Sequence, residues 1–422
     1  MKKLLSLQEP KKIIPAALSM PDKVLLCGID LAKDKHVARV LRGNTVSLKE
    51  RLVFSSDDSD LNLFVDWILS LKRDYNADHL FIGMEPTADF WGKVYNFLIC
   101  NLPDTGTWLV HPHSVSLIRK LGNSNFSKTD DIDALAIAKL VGQNDCFRPI
   151  QHSATSSLLK EQFKFLDFTE YVLSTSRRKL IKLVGQFAPD LIRNLSERKF
   201  DSILSLLDPD FSFNALLSCN QHDWVELHLK KGHSRKLLLQ IHKELVSYYH
   251  ILSDSPDLCN LFKHEFDFWL NAKINRNKIV LDITSIVQKH PLFPFLSSIP
   301  GIGVMTAGAF IASVGDVDQF CYANQIIKLF GFDLRRHQSG KMDVSPHISK
   351  RGVVLPRKYF YMAALSASRI YPFKIWYDRK VELRGGKGKR AVVIALAAKL
   401  IRISFQLTKN KELFDFNKSI KI

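Results

Sequence analysis

VLLCGID at residues 24–30 and LFIGMEPT at residues 80–87 each run through apolar side chains into a carboxylate, Asp30 in the first and Glu85 in the second. An apolar run of this length, bounded by polar residues, predicts a buried strand. Ligands of open α/β sheets collect at the carboxyl ends of the strands, so acids closing two such strands are placed to meet. KTDDIDALAIAKLV, residues 128–141, reads as a helix whose first turn carries Asp130 and Asp133 on one face while Asp131 points away. Four carboxylates from three segments form the donor set of a two-metal phosphodiester site. Hard ions such as Mg²⁺ take oxygen ligands, and an ion pair roughly 4 Å apart can clamp the attacking and leaving oxygens of a phosphoryl displacement. Singly, each segment has an ordinary explanation: helix-dipole complementation for the DDID turn, a polar turn for Asp30 beside Lys33, Asp34 and Lys35, and nothing special for one Glu at a strand end. Their combination on strands and a helix carries the metal reading.

Outward from these runs, HVARVLRGNTVSLKERLVF (36–54) predicts two further strands with a turn at Gly43 and Asn44. A helix follows from 57 to 72, with Ser55, Ser56 and Asp57 as cap candidates and Leu61, Phe64, Val65 and Ile68 as its buried stripe. Then come a strand at 79–85, a helix at 88–101, a strand at 107–111, a short helix at 113–121, the polar loop GNSNFSKT and the acidic helix. Three strands followed by alternating helices and strands predict a mixed α/β sheet in the order of the ribonuclease H type of fold.

From 152 to 293 the chain turns Leu- and Lys-rich. SSLLKEQFKFLDFTEYVLSTSRRKLIKLVGQF (156–187) and SRKLLLQIHKELVSYYHIL (234–252) predict long amphipathic helices, joined by polar and aromatic sequence between 197 and 233. Such helices pair within the chain or with a second copy, and their irregular heptads leave both open. Further on, LSSIPGIGVMTAGAFIASVGDVDQF (296–320) sets Gly301 and Gly303 in a tight turn before a helix, where backbone N–H groups can face a phosphate or simply turn the chain. In GFDLRRHQSGKMDVSPHISKRG (331–352), Ser339 lies in a glycine-containing loop flanked by Arg335, Arg336, His337, Lys341, Lys350 and Arg351. Those cations can hold a phosphate, and a serine hydroxyl needs such help to act as a nucleophile. Ser345 and Ser349 are equally visible, so the residues alone do not select Ser339.

The 422 residues suffice for two or three domains and carry a formal charge of +18. From Arg335 to Arg402 there are 17 Lys or Arg against three acids, Asp343, Asp378 and Glu382. Interleaved with aromatics, as in RKYFYMAALSASRIYPFKIWYDRK, this stretch suits phosphate contacts and base stacking and makes nucleic acid the expected partner. The cysteines at 27, 100, 146, 219, 259 and 321 contain no CxxC pair and read as reduced, mostly core thiols rather than a zinc site or a disulfide framework. At the start, Gln8, Glu9, Pro10, Lys11 and Lys12 interrupt the apolar run, which argues against a secretion signal. No stretch is read as the roughly 20 apolar residues of a membrane span. A cytoplasmic, nucleoid-associated protein is expected.

GIDLAKDKH, GMEPTADFW, KTDDIDALAIAKL, SIPGIGVMTA, and RRHQSG followed by HISKRG together resemble the insertion-sequence transposases with a DEDD RuvC-like domain. Relatives of that family include site-specific DNA invertases and bridge-RNA-guided recombinases. The likeness spans residues 24–145 and 295–405, with the motifs in the family's order. It implies an α/β RuvC-like (ribonuclease H-type) domain with a mixed sheet at 23–150, after an N-terminal extension at 1–22. Mainly α-helical middle and C-terminal regions are expected at 151–293 and 294–408, the latter being the transposase domain with the serine, and a tail at 409–422. The resemblance further implies that Asp30, Glu85, Asp130 and Asp133 are the DEDD set binding Mg²⁺ or a similar divalent ion. It implies that Ser339 is the nucleophile forming a phosphoserine link to DNA, the two composing one active centre within or across subunits. Donor and target DNA, an element-encoded guide noncoding RNA and a homodimer or homotetramer are the implied partners, with no membrane. Gly301, Gly303, Arg335, Arg336, Lys341, Lys350, Arg351, Arg384, Lys387, Lys389 and Arg390 are the expected nucleic-acid contacts. Two other functions fit the same residues: a RuvC-like nuclease in which metal-activated water replaces the serine, and a non-catalytic nucleic-acid-binding protein derived from a transposase.

Overall fold

The computed structural model describes residues 17, 19–43, 46–86, 90–122, 129–150, 152–187, 189–194, 220–229, 234–253, 256–335, 338–339, 342–343 and 347–416. The N-terminal extension before residue 17, Asn44, the loop at 123–128, most of the 197–233 connection, Arg336, His337, Lys341, Ser345 and the tail from 417 lie outside them. The chain divides into two compact units, residues 1–151 and 152–422.

In the first unit, β1 (Val24–Asp30), β2 (His36–Arg42), β3 (Val46–Phe54), β4 (His79–Met84) and β5 (Gly106–Leu109) form one sheet in the order β3-β2-β1-β4-β5. β1 is antiparallel to β2 and parallel to β4, so the sheet is mixed as expected. As the central strand β1 is covered on both faces, which is why its sequence is an unbroken apolar run rather than an alternation. Leu25, Cys27 and Ile29 pack with Leu61, Phe64 and Ile68 of α1 (Asp58–Asp74) and Val94 and Leu98 of α2 (Trp91–Asn101). The alternate residues Val24 and Leu26 pack with Val115 of α3 (Pro112–Gly122) and Ile137, Leu140 and Val141 of α4 (Asp130–Gly142). Those three α4 side chains are essentially fully buried and contribute about 2 kcal/mol each. The expected cap of α1 works differently: Asp57 takes the N-cap position without a side-chain bond to the helix backbone, and Asp60 instead accepts from the Ser55 backbone N–H at 2.8 Å.

The second unit is built on α5 (Ala154–Phe187), followed by α6 (Pro189–Asn194), α7 (Gln221–Leu229), α8 (Arg235–Ser253) and α9 (Pro256–Gln288). α5 and α9 run antiparallel, since Lys179 pairs with Glu265 while Arg276 pairs with Glu170. After α10 (Phe293–Ser297), the apolar helix α11 (Val304–Val314) seats its Gly308 against Val287 of α9 and Phe163 of α5. A Cβ there would lie 2.8 Å from Val287 Cγ2, so the glycine allows the close approach. The long helices and the later region therefore share one core. Beyond α12 (Ala323–Leu329) come four two-residue strands, β6 (Leu334–Arg335), β7 (Gln338–Ser339), β8 (Met342–Asp343) and β9 (His347–Ile348), then α13 (Val354–Ala367), α14 (Phe373–Glu382) and α15 (Lys389–Asn410). One expectation is corrected here: α15 is long and apolar enough to cross a membrane by length and composition. Half of its apolar window is buried inside the unit, where Leu396, Ala397, Leu400 and Ile401 belong to the core.

Candidate active site

Ile29 of β1 stands beside Met84 of β4 in parallel register. Carried one residue on, that register sets Glu85, just past the end of its strand, next to Asp30, at the ~4.8 Å spacing of neighbouring strands. Asp30 is in step with Val24, Leu26 and Gly28, the face of β1 covered by α4.

A single row crosses the sheet at Arg51, Arg39, Gly28, Gly83 and Trp108. α4 crosses the strands along this row. A Cβ on Gly28 would lie 1.9 Å from the Ala134 carbonyl oxygen and 2.6 Å from the Ala138 nitrogen, and one on Gly83 would lie 2.4 Å from Val141 Cγ2. Two adjacent glycines thus make a trough in which the helix backbone touches the sheet. At the near end Asp131 accepts from Arg39 Nη1 at 3.1 Å and from Arg51 Nε at 2.9 and 3.1 Å. From Asp131 to Val141 a helix rises ~15 Å, matching the ~14 Å from β3 to β4.

Within the first turn of α4 the acids divide as helical spacing requires. Thr129 caps it, its side chain accepting from the Ile132 N–H at 3.3 Å. Asp131 is turned to β2 and β3. Asp130 is exposed at the first helical position, and Asp133 is buried with only 7% of its side chain accessible. Arg119 of α3 donates from Nη1 to both Asp133 oxygens, at 2.8 and 2.7 Å. The four carboxylates offer hard oxygen donors, which fit a divalent ion of the Mg²⁺ class. Among the described residues no three His, Cys, Asp or Glu side chains converge on one ion position, and Asp133 is turned onto Arg119. Beside the site, His36 opens β2 fully buried, with Nε2 on Ser56 Oγ at 2.7 Å and its ring edge-on to Phe54; burial pushes its pKa down.

The second unit carries the remaining candidates. Ser339 belongs to a hairpin within a hairpin: its backbone pairs with Met342 across β7 and β8, while Leu334 and Arg335 pair with Ile348 and His347 across β6 and β9. The side chains of Arg335 and Ser339 lie outside the described set. The base of the outer hairpin is well anchored. Buried Ser349 donates from Oγ to Asp333 Oδ1 in a very short contact and from its backbone N–H to the Asp333 carbonyl at 2.7 Å. Lys350 and Arg351 are exposed beside it.

Gly301 and Gly303 separate in role. Gly301, at φ +91°, faces α13, where a Cβ would lie 2.7 Å from Ala367 Cβ and 2.9 Å from the Ala363 carbonyl. Gly303 is the N-cap of α11 with open space around it. Gly301 is thus a packing glycine, and only Gly303 leaves room for a ligand. Arg384, Lys387, Lys389 and Arg390 are all exposed around the turn between α14 and α15, where Gly385, Gly386 and Gly388 take positive φ. Nearby, the ammonium groups of Lys380 and Lys399 lie 6.0 and 5.0 Å from the Trp376 ring centroid, and burial together with Lys380 lowers the pKa of Lys399.

Sequence reasoning did not find Arg119, Arg39 or Arg51. The two glycines in otherwise apolar strands were the one available signal that a helix backbone lies against them.

A transposase family model of the DEDD type associated with IS110 matches residues 27–188, and one described as the IS116/IS110/IS902 transposase family matches residues 294–377. The pilin gene-inverting protein of Moraxella bovis is 30% identical over 390 residues, covering 92% of this chain and 97% of that protein. A transposase for insertion sequence element IS1111A from Coxiella burnetii is 34% identical over 173 residues, 39% of this chain and 47% of the relative. The 43.6 kDa protein of insertion element IS110 from Streptomyces coelicolor is 23% identical over 301 residues, 68% of this chain and 72% of the relative.

Proposed function

The chain belongs to the IS116/IS110/IS902 family of transposases, enzymes that cleave DNA strands and transfer them, and on that premise we propose that it excises and integrates an insertion-sequence element. Asp30 closing β1 and Glu85 one residue past the end of its parallel neighbour β4, with Asp130 and Asp133 in the first turn of the helix laid across them, carry this function. In this reading the four carboxylates hold Mg²⁺ or a similar divalent ion. When bound, such an ion supplies Lewis acidity to the phosphoryl oxygens and lowers the pKa of a hydroxyl bound to it.

Ser339 supplies the nucleophile. Its Oγ forms an O–P bond to DNA as one P–O bond of the strand breaks, the serine proton is released, and the leaving deoxyribose oxygen takes up a proton. A second strand end then displaces the serine by the reverse exchange, so the number of phosphodiester bonds is conserved without an external energy source. Arg335, Arg336, Lys341, Lys350 and Arg351 line the same sequence segment and suit the phosphate. Gly303, Arg384, Lys387, Lys389 and Arg390 extend the contact to donor and target DNA, guided by an element-encoded RNA, in a homodimer or homotetramer at the nucleoid of the cytoplasm. The Moraxella bovis relative is named for inverting a pilin gene, and the cutting and rejoining assigned here is in keeping with an inversion.

With a matching RNA and DNA substrate, wild type leaves a protein–DNA adduct that survives denaturation. Ser339→Ala forms none while still assembling with both nucleic acids. Recombination by Ser339→Ala at the wild-type rate overturns the serine mechanism, and adduct-free cleavage by wild type favours metal-activated water.

A further inference from the structure

Asp131 and Asp133 sit in one helical turn and both are bound by arginine, in different ways. Asp131 has 34% of its side chain accessible and is held by arginines rooted in β2 and β3, inside the sheet. Asp133 is the more buried acid, at 7%, and its arginine stands on the last turn of α3. Arg119 uses Nη1 for both bonds, at 2.8 and 2.7 Å, so it meets the carboxylate end-on rather than with the two-nitrogen fork that makes an arginine–carboxylate pair rigid. A buried carboxylate needs a positive partner, because an uncompensated charge there is strongly destabilising. Arg119 provides that partner through the lone pairs that a divalent ion would take.

We infer that Arg119 is a positioning residue that neutralises and holds Asp133 while the carboxylate site is empty of metal, and that ion binding and the Arg119–Asp133 contact are mutually exclusive. The inference rests on the reading of Asp133 as one of the metal-binding carboxylates. It makes Arg119 a competitor that sets how much free metal is needed to load the site. Arg39 and Arg51 provide the internal contrast, since Asp131 belongs to no proposed ligand set and its clamp has no ion to compete with.

The experiment is Mn²⁺ binding to the full-length protein without nucleic acid, followed by electron paramagnetic resonance, alongside thermal melting with and without Mn²⁺. Wild type should show a binding component that Asp30→Asn removes. Arg119→Gln should tighten this component roughly tenfold and lower the melting temperature of the metal-free protein by roughly 5 °C, a loss that Mn²⁺ reverses by more than it raises wild type. Arg119→Lys, which keeps a charge but not the planar donor group, should fall between the two and provides the reading if Arg119→Gln does not fold. Arg51→Gln should lower the melting temperature without tightening Mn²⁺. An Arg119→Gln affinity equal to or weaker than wild type, beside an intact Asp30-dependent component, overturns the competition alone. Absence of any Asp30-dependent Mn²⁺ component in wild type overturns the metal reading, and the role of Arg119 with it.

Discussion

In the first unit the candidate carboxylates hang from the ends of two core strands and from a helix pressed into a trough of glycines, whereas in the second Ser339 stands on a two-residue strand inside nested hairpins. The carboxylates inherit their positions from buried apolar packing: Ile137 and Val141 hold α4 down, and Val24, Leu26 and Phe81 receive it. Ser339 inherits its position from backbone pairing, with the anchoring side chains at the base, where Ser349 meets Asp333 and Arg357 reaches the Phe330 carbonyl at 3.2 Å. Damage to the core should therefore cost the first region its fold, while damage to the hairpin base should cost the second its geometry and leave the fold standing.

The largest effect tests the acids themselves. Asp30→Asn should reduce DNA cleavage by ~10³-fold, equivalent to about 4 kcal/mol of barrier, with nucleic-acid affinity nearly unchanged; full activity in Mg²⁺ removes the carboxylates from the reaction. Next is the trough. Gly28→Ala drives a Cβ into helix backbone that has nowhere to move and should destabilise the first unit by about 3 kcal/mol or more, whereas Gly303→Ala, with nothing within 4 Å, should be nearly silent. Chemical denaturation of both variants reads this difference, and equal midpoints would mean that α4 does not depend on the glycines. A smaller effect separates the hairpin from the core. Ser349→Ala leaves Asp333 without its hydroxyl partner and should cost about 1–2 kcal/mol, slowing adduct formation while far-ultraviolet circular dichroism stays native. A wild-type adduct rate would show that the base does not position the serine.

The weakest test is titration. Burial holds the pKa of His36 below its ordinary value near 6.5, so the unfolded chain takes up the proton more readily than the folded one. The stability His36 contributes is therefore fully present above about pH 6.5 and is lost as the pH falls from there toward its folded pKa. His152 and His290 are shifted the same way by burial. His36→Asn should thus flatten only part of the decline in melting temperature between pH 7.5 and 5, and an unaltered slope would mean that His36 is protonated equally in both states.

The strand ends and the acidic helix were legible in the sequence because their physics is local. Apolar runs closing on Asp30 and Glu85 need only period and length, and three-residue spacing alone separates Asp131 from Asp130 and Asp133. Arg119 was not legible, because its role depends on how α3 docks on α4. The nested hairpins were equally hidden: QSGKMD and SPHISK have no apolar alternation, and strands of two residues are defined by their partners rather than by propensity. In α15, Lys399 and Arg402 split the apolar run, so its continuity shows only on the helix, where those two charges fall among residues that the core covers on the other side.

The glycine trough also explains an economy in side-chain length. With no Cβ between strand and helix at Gly28, the backbone of α4 lies in contact with the sheet, and three of the four proposed ligands are aspartates rather than glutamates. An aspartate has one fewer rotatable bond to freeze, and ordering a glutamate is among the costlier side-chain entropy losses. A helix held farther off would need the longer acid and would surrender that freedom at each ligand. On the proposed metal reading, two missing methyl groups draw the helix close enough for short acids in its first turn, which places part of the site's conformational entropy in the core of the sheet rather than at the carboxylates.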